Sequence, residues 1–555
     1  MISRKATKLG VMIVGLVLGF NAQAKAKRYL VQFKSPAAFT ATTQEIAAFN
    51  RGLNVDSVSG SQVKLFNTSA KVTNTLNHVQ MLVIESSDAL AIASLRTRPE
   101  IALIEEEVMH PAPQPLSTRG VTADGSVSAP PAVMAQPWGI GAVKAPAAWA
   151  TTKGAGARVL VLDTGIDKSH EAVMGNLEAV QNFTGGNSSD VTDTVGHGTH
   201  VSGTVLADGN HGLVGVAPEA KLLMGKVCSD LGCSSVAITS GIDWAVQQKV
   251  DVVNMSLGGA FMTSAEGAAL QRAEAAGVTV VCASGNDGKP KVSFPGAAPT
   301  ALAVGAIDVN LVKADFSNWG PELDIVGPGV DVMSSVPVGT GRGGSAQINL
   351  GGKGLAEVAS TQFVGSPIAS PAENDLVFVG LGKSADFAGV KLSGKLALIQ
   401  RGEIPFKEKV MNAIAAGAVG VVIYNNAPGL IQGAVTDDGT EVAIPAVMIE
   451  QSLGEAAKAA LAAGQGARAL IAVIRTDYAA FAGTSMASPH VAGVAALVRA
   501  ANKSLSPAQV RSILMTTATP MTPNDQNQLG SGLVNAEAAV AKARSTFVPQ
   551  YQIAN

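Results

Sequence analysis

Gly483-Thr484-Ser485-Met486-Ala487-Ser488-Pro489-His490 sets a serine among small residues at the head of an apolar run, Val491-Ala492-Gly493-Val494-Ala495-Ala496-Leu497-Val498. The run reads as a buried helix. A serine at a helix start is ordinarily an N-cap. Its neighbours add a second reading. Gly483 and Ala487 leave room for another chain to approach. Pro489 stands near the helix start, where a missing N–H costs little. The helix N-terminus favours negative charge forming beside Ser485. A hydroxyl in this setting suits attack on a carbonyl carbon. It then needs a base, and the base needs a carboxylate to fix its tautomer and stabilise its cation.

Candidates for both lie upstream. Residues 157–163 form a short apolar strand that ends at Asp163, before a turn at Gly165. In open α/β sheets chemistry gathers at the carboxyl ends of strands, which suits Asp163. His197 lies in Gly196-His197-Gly198-Thr199-His200-Val201-Ser202-Gly203-Thr204, at the head of another small-residue helix. The chain order Asp, His, Ser is one of three in which this constellation occurs. Asp167 reads as a turn carboxylate, and His200 and His490 read as structural. His78, His110, His170 and His211 carry no motif and read as exposed.

The runs around Asp163, His197 and Ser485 resemble the three signature motifs of the subtilisin-like serine proteases, the subtilases. Val280-Val281-Cys282-Ala283-Ser284-Gly285-Asn286-Asp287-Gly288 is similar to the family segment whose asparagine donates to the oxyanion. Asn254-Met255-Ser256-Leu257-Gly258-Gly259 resembles the family's substrate-binding strand. The resemblance covers residues 138–338 and resumes near Tyr478. It implies an endopeptidase working through an acyl-enzyme. Asp163 would orient, His197 would act as general base and then general acid, and Ser485 would be the nucleophile. Asn286 and the backbone N–H of Ser485 would form the oxyanion hole.

Ser256, Leu257, Gly258 and Gly259 would form one wall of the primary pocket. Ala283, Ser284 and Gly285 would form the other, with Ser293 near the floor. These residues are small and none is acidic, so medium-to-large apolar side chains are expected before the cut bond. The loop between Cys228 and Cys233 matches the family's substrate-binding edge. Secretion would place it in an oxidising compartment, where the pair is expected to form a disulfide; free thiols are the alternative. Cys282, in an apolar strand, reads as a buried free thiol. Serine chemistry implies no catalytic cofactor. Many relatives hold structural Ca²⁺, but the loop 208–212 is short for such a site and Ala172 stands where a carboxylate is expected, so no metal ligand is assigned.

The elements that must position these residues alternate. Strands are expected at 158–162, 221–226, 252–255, 278–283, 301–304 and 324–326. Helices are expected at 197–207, 236–248, 264–276, 506–517 and 535–543. This is an α/β pattern, a doubly wound and mainly parallel sheet, as the subtilisin-like resemblance also implies. After residue 338 the pattern breaks at a glycine-rich stretch. Residues 339–475 resemble a protease-associated (PA) domain inserted into the core, with a strand and then a turn over 394–402, a helix at 406–416, a buried strand at 419–425 and the apolar run 444–449 after it. The core resumes over 476–545, and 546–555 form a tail. The insert is expected to gate access or to bind part of the substrate, a plain spacer being the alternative.

Arg4, Lys5 and Lys8, the apolar run 9–20 and Ala22-Gln23-Ala24 make 1–24 a secretion signal, with cleavage after Ala24 or, alternatively, Ala26. The run is short for a membrane anchor. The product is expected outside the cell, with periplasm or cell surface as alternatives. Residues 25–110, with strands at 28–33, 81–85 and 101–105 and a helix at 88–96, resemble the family's α+β propeptide. That implies an intramolecular inhibitor and chaperone, joined to the core by a processing region at 111–137. With 555 residues the chain suggests two to four domains. A net charge of −2 leaves no nucleic-acid footprint, and three cysteines are too few for a disulfide scaffold. Protein or peptide substrates and a monomeric state are expected. The rival readings are a narrow processing enzyme or exopeptidase gated by the insert, and a pseudoenzyme that only binds.

Overall fold

Seven short strands rich in Val, Leu, Ile and Ala form one sheet in the order Ile325–Pro328, Ala301–Ile307, Thr279–Ala283, Val252–Met255, Arg158–Asp163, Lys221–Lys226, Leu177–Asn182. Every neighbouring pair is parallel. Near-continuous apolar strands are what a parallel sheet covered on both faces demands. Arg158–Asp163 comes first in the chain and lies inside the sheet, so the sheet winds outward from it in both directions. Its carboxyl end is therefore a topological switch point, the place where open α/β sheets build sites. The computed structural model describes residues 26–52, 64–113, 137–431, 433–436 and 439–547. The expected signal at 1–24, most of the processing region (114–136) and the end of the tail lie outside the described residues.

The helix Thr484–Ala501 packs against this sheet and against the helix His197–Leu206. Thr484 through Val498 are all buried, so the small apolar run is helical and covered on every side. Cys282 is fully buried in the strand Thr279–Ala283, and burial pushes its thiol pKa up. Cys228 and Cys233 form a disulfide. Their strands, Cys228–Ser229 and Gly232–Ser234, pair antiparallel, and Met109–His110 adds a third strand to Gly232–Ser234.

The glycine-rich stretch after residue 338 is not a loop. Gly341–Leu350 is a ten-residue strand, antiparallel to Ala467–Thr476 over its whole length. Its glycines have steric work to do. A Cβ on Gly344 would lie 2.5 Å from the carbonyl carbon of Thr361, and one on Gly341 would lie 2.4 Å from the Tyr478 oxygen. Just outside this pair, Val332–Ser335 runs antiparallel to Tyr478–Phe481. Two successive antiparallel pairs thus bring the ends of the insertion together, and the chain re-enters the core at Gly483. The insertion is built on an eight-stranded sheet in which Ala369–Phe378, Leu396–Gln400, Gly420–Tyr424 and Ala446–Ile449 are parallel neighbours. The helices Phe406–Ala415 and Gln451–Ala462 accompany it.

The chain forms two compact units, and the smaller comprises residues up to Thr75 together with Met81–Glu106. Its sheet has the order Lys71–Leu76, Met81–Ser86, Lys27–Phe33, Ile101–Glu106. Tyr29, Val31, Phe33, Ile84 and Ile104 pack with Phe39 and Ile46 of the helix Pro36–Gly52 and with Ile92 and Leu95 of Ala89–Arg96. Pro36–Gly52 was not legible as a helix; it carries Thr at three positions and a weak apolar stripe. Glu107 onward, with Leu76–Gln80, belongs to the larger unit. Among the described residues no helix is long and apolar enough to cross a membrane.

Candidate active site

Asp163 ends the strand at the switch point, and His197 opens its helix. Both are fully buried, and His197 Nδ1 lies 2.8 Å from Asp163 Oδ1. The same oxygen accepts the Thr164 N–H at 2.7 Å. With its proton on Nδ1, the ring offers Nε2 as an acceptor, and Nε2 has no partner among the described residues. The close approach of helix to strand depends on Gly198, where a Cβ would lie 2.2 Å from the Gly165 oxygen and 3.1 Å from Asp163 Cβ.

Asp193, which the sequence reading did not single out, holds this corner. It is buried, and its Oδ1 accepts the Gly196 N–H and the Thr164 hydroxyl, each at 2.8 Å. Its Oδ2 accepts the Thr199 N–H at 2.8 Å and the Thr199 hydroxyl at 2.7 Å. Thr164 Oγ1 in turn accepts the Gly198 N–H at 2.9 Å. One carboxylate therefore caps the helix that carries His197 and ties it to the turn after Asp163. An acidic residue just ahead of Gly196-His197 is a helix-start signal and was available in the sequence.

Ser485 Oγ donates to the Ser256 carbonyl at 3.1 Å. The Ser256 hydroxyl donates back to the Ser485 carbonyl at 2.8 Å and meets Ser488 Oγ at 2.7 Å. Pro489 explains why that carbonyl is open. The helix starts at Thr484, so Pro489 lies beyond its first turn, where an N–H would have bonded Ser485 O. The expectation that proline sits where its N–H is not missed is corrected: the bond is lost, and the Ser256 hydroxyl takes its place. Asn254 Nδ2 donates to the same hydroxyl oxygen at 2.9 Å. In this rotamer Ser485 is not bonded to His197, and such bonds are often loose until substrate binds.

Asn286 Oδ1 accepts from the Thr484 N–H at 2.9 Å and the Thr484 hydroxyl at 2.8 Å. Its Nδ2 is thereby turned the other way. A Cβ on Gly483 would lie 3.4 Å from Asn286 Nδ2, 3.6 Å from the Ser485 nitrogen and 3.8 Å from Met486 Sδ. Two nitrogens that carry N–H groups and one thioether thus lie around a common point beside Ser485, kept open because Gly483, at φ 149°, has no side chain.

The residues expected to line the primary pocket also meet. Gly259 exchanges backbone hydrogen bonds with Phe294 at 2.8 and 3.0 Å, and the Ser293 N–H donates to the Ser284 carbonyl at 2.8 Å. A Cβ on Gly258 would lie 3.3 Å from Ser293 Cβ, and one on Gly285 2.4 Å from Ser293 Oγ. Ser256-Leu257-Gly258-Gly259 and Ala283-Ser284-Gly285 therefore flank Ser293 from two sides.

His200 is buried with Nε2 2.9 Å from the Val332 oxygen and its ring stacked on Phe481. Burial, with His197 nearby, pulls its pKa down to about 3. His490 is buried against the Met486 carbonyl, and burial lowers its pKa to about 4. Asp167 accepts from Ser169 and from the Val338 N–H; burial raises its pKa, and these bonds outweigh it to give a net lowering. His78 and His211 are exposed. His170 and His110 are not, contrary to expectation. His170 is buried, with Nε2 2.7 Å from the Asp477 oxygen and Nδ1 accepting the Ala172 N–H. His110 is buried against Glu266. Neither partner is close in sequence, which is why neither burial was legible. Asp208, in the short loop considered for Ca²⁺, accepts the backbone and side-chain N–H groups of Asn210.

A parallel sheet with this corner at its switch point defines a subtilisin-like α/β protein. A sequence model of the Subtilase family matches residues 154–372, and one of the PA domain matches residues 366–457. The major intracellular serine protease of Bacillus subtilis (strain 168) is 42% identical over 213 residues, which cover 36% of this chain and 67% of that protein. The alkaline protease of Alkalihalobacillus alcalophilus is 39% identical over 287 residues, 49% of this chain and 73% of that one. A crystal structure of a psychrophilic subtilisin-like protease from Pseudoalteromonas sp. AS-11 superposes with a TM-score of 0.61 at 31% identity, covering 74% of this chain and 99% of that one. The chain belongs to the subtilase family and carries a PA domain; it is a serine-type peptidase that hydrolyses peptide bonds in protein substrates.

Proposed function

We propose that the protein is a secreted endopeptidase, made as a zymogen, in which Asp163, His197 and Ser485 act as the triad. The observation that carries this reading is the common point beside Ser485. The Asn286 amide nitrogen and the Ser485 nitrogen lie beside it, and Nε2 of His197, which has no partner among the described residues, belongs to a ring already oriented by Asp163.

Ser485 Oγ attacks the substrate carbonyl carbon while Nε2 takes the hydroxyl proton. Asp163 stabilises the imidazolium that results. The carbonyl oxygen becomes an oxyanion held by Asn286 and the Ser485 N–H. Collapse breaks the C–N bond, and the proton on Nε2 passes to the leaving amine. Water repeats the sequence on the acyl-enzyme and frees Ser485. These steps draw on no metal.

Residues 25–110 are proposed as the propeptide. The strand Met109–His110 on Gly232–Ser234 supports this, since it occupies the edge next to the primary pocket. The PA insert is proposed to gate access or to bind part of the substrate. The residues proposed for the primary pocket are mostly small and none is acidic, so cleavage after medium-to-large apolar or aromatic residues is expected. Digestion of a peptide library by the processed protein, with products read by mass spectrometry, checks this. Strict cleavage after Lys or Arg would overturn the specificity, and removal of single terminal residues only would favour the exopeptidase reading.

Met486 is fully buried, and its thioether borders the oxyanion point. A sulfoxide there adds bulk and polarity. Peroxide is expected to lower kcat while near-UV circular dichroism stays unchanged, and Met486→Ala should resist. Equal inactivation of that variant would place the sensitive group elsewhere.

A further inference from the structure

We propose that Glu266 is a specificity-determining residue: it equips a subsite upstream of the cut bond to select a histidine or another cationic N–H donor in the substrate. The inference rests on the serine-peptidase reading of Ser485 and names a substrate feature beyond the apolar preference of the primary pocket.

The site is built from both sides. Glu266 is the third residue of the helix Ser264–Ala275, and its Oε2 closes a capping box by accepting the Thr263 N–H at 2.8 Å and the Thr263 hydroxyl at 2.9 Å. Its Oε1 has a different use, lying 2.9 Å from His110 Nε2. Both side chains are buried, at 6% exposure for His110 and 5% for Glu266. With Glu266, the ring forms part of the wall of a small cavity whose other walls include Ile238, Ile242, Leu257, Met262 and Phe294. Phe261, half exposed, tilts over it with ring centroids 5.8 Å apart.

Two glycines admit this occupant. A Cβ on Gly259 would lie 2.9 Å from His110 Nδ1, and one on Gly232 would lie 2.4 Å from the His110 oxygen. Capping needs only one carboxylate oxygen. The other is held in an apolar cavity, where an ionised group without a partner is unfavourable. An occupant that donates a charge-assisted N–H satisfies it, and an aliphatic side chain does not.

The distance from the reacting bond follows from the chain. Ser256 accepts from Ser485, and a Cβ on Gly259, three residues on, would lie 2.9 Å from His110 Nδ1. At about 3.3 Å per residue of extended chain, the subsite lies about three residues from the serine, which is the fourth residue before the cut bond. In the proposed processing His110 leaves with the propeptide. The vacated subsite then meets substrate.

The test uses the processed full enzyme and its Glu266→Gln variant. Glutamine at this helix position preserves the capping box while removing the charge. Active enzyme is counted by labelling with a fluorophosphonate. Peptides that differ only in carrying His or Leu are compared, with that residue moved from the second to the fifth place before the cut. The kcat/KM ratio of His over Leu is expected to peak at the fourth place at about ten or more. It should fall about tenfold in the variant, the difference between bonding an ionised and a neutral partner. A ratio that favours Leu at every place, or that is the same in both proteins, overturns the role of Glu266 while labelling leaves the serine reading intact. Failure of both proteins to label overturns the serine reading itself.

Discussion

Replacement of Ser485 by alanine is expected to lower kcat by about a millionfold, the loss known for the nucleophile of a subtilisin. It should also stop maturation. Among the described residues the Oγ makes one hydrogen bond, to the Ser256 carbonyl, so its removal costs about 1 kcal/mol of stability and the chain still folds. Expressed in a host without other extracellular proteases, Ser485→Ala should lose residues 1–24 and keep everything from about residue 25 covalently joined. His197→Ala should show the same block, and the double variant should be no worse than either single one, because base and nucleophile act as a unit. A Ser485→Ala protein found at the mature mass in that host would mean that another enzyme makes the cut.

Asn286→Ala is expected to lower kcat by about 10²–10³ with little change in KM, a range measured on the equivalent donor of a subtilisin. Maturation should slow rather than stop. Asn286 has two jobs, however. Its Oδ1 holds the Thr484 N–H and hydroxyl, and its Nδ2 lies beside the proposed oxyanion point. Asn286→Asp separates them, since a carboxylate keeps the acceptor and removes the donor. Steady-state rates for Asp as low as for Ala locate the effect in the oxyanion. Recovery of kcat in Asn286→Asp would show that the clamp on Thr484 was responsible instead.

What was legible in the sequence follows from how local each feature is. Asp163, His197, Ser485 and Asn286 sit in short runs where glycine spacing, a strand end or a helix start coincides with a reactive side chain. The parallel sheet was legible for the same reason, because Val159–Leu162 or Val252–Met255 carry their burial in their own composition. What escaped was set by partners far along the chain. The Ser256 hydroxyl fills the gap left by Pro489 from 233 residues away only because the two elements meet in the fold. His110 and His170 are buried by Glu266 and Asp477, which no periodicity connects to them. Gly341–Leu350 read as a break because glycine is a poor strand former. Its partner Ala467–Thr476 lies at the far end of the insertion, and close approach to Thr361 and Tyr478 is what requires the glycines.

The central claim is that one serine, activated by His197, performs the chemistry. Labelling the processed protein with a fluorophosphonate and mapping the adduct by peptide mass spectrometry tests it most directly. The adduct is expected on Ser485 alone, absent from Ser485→Ala and at least about a hundredfold slower to form in His197→Ala, since general-base help contributes about 10²–10⁴. An adduct on another serine, or undiminished labelling in His197→Ala, would contradict the account.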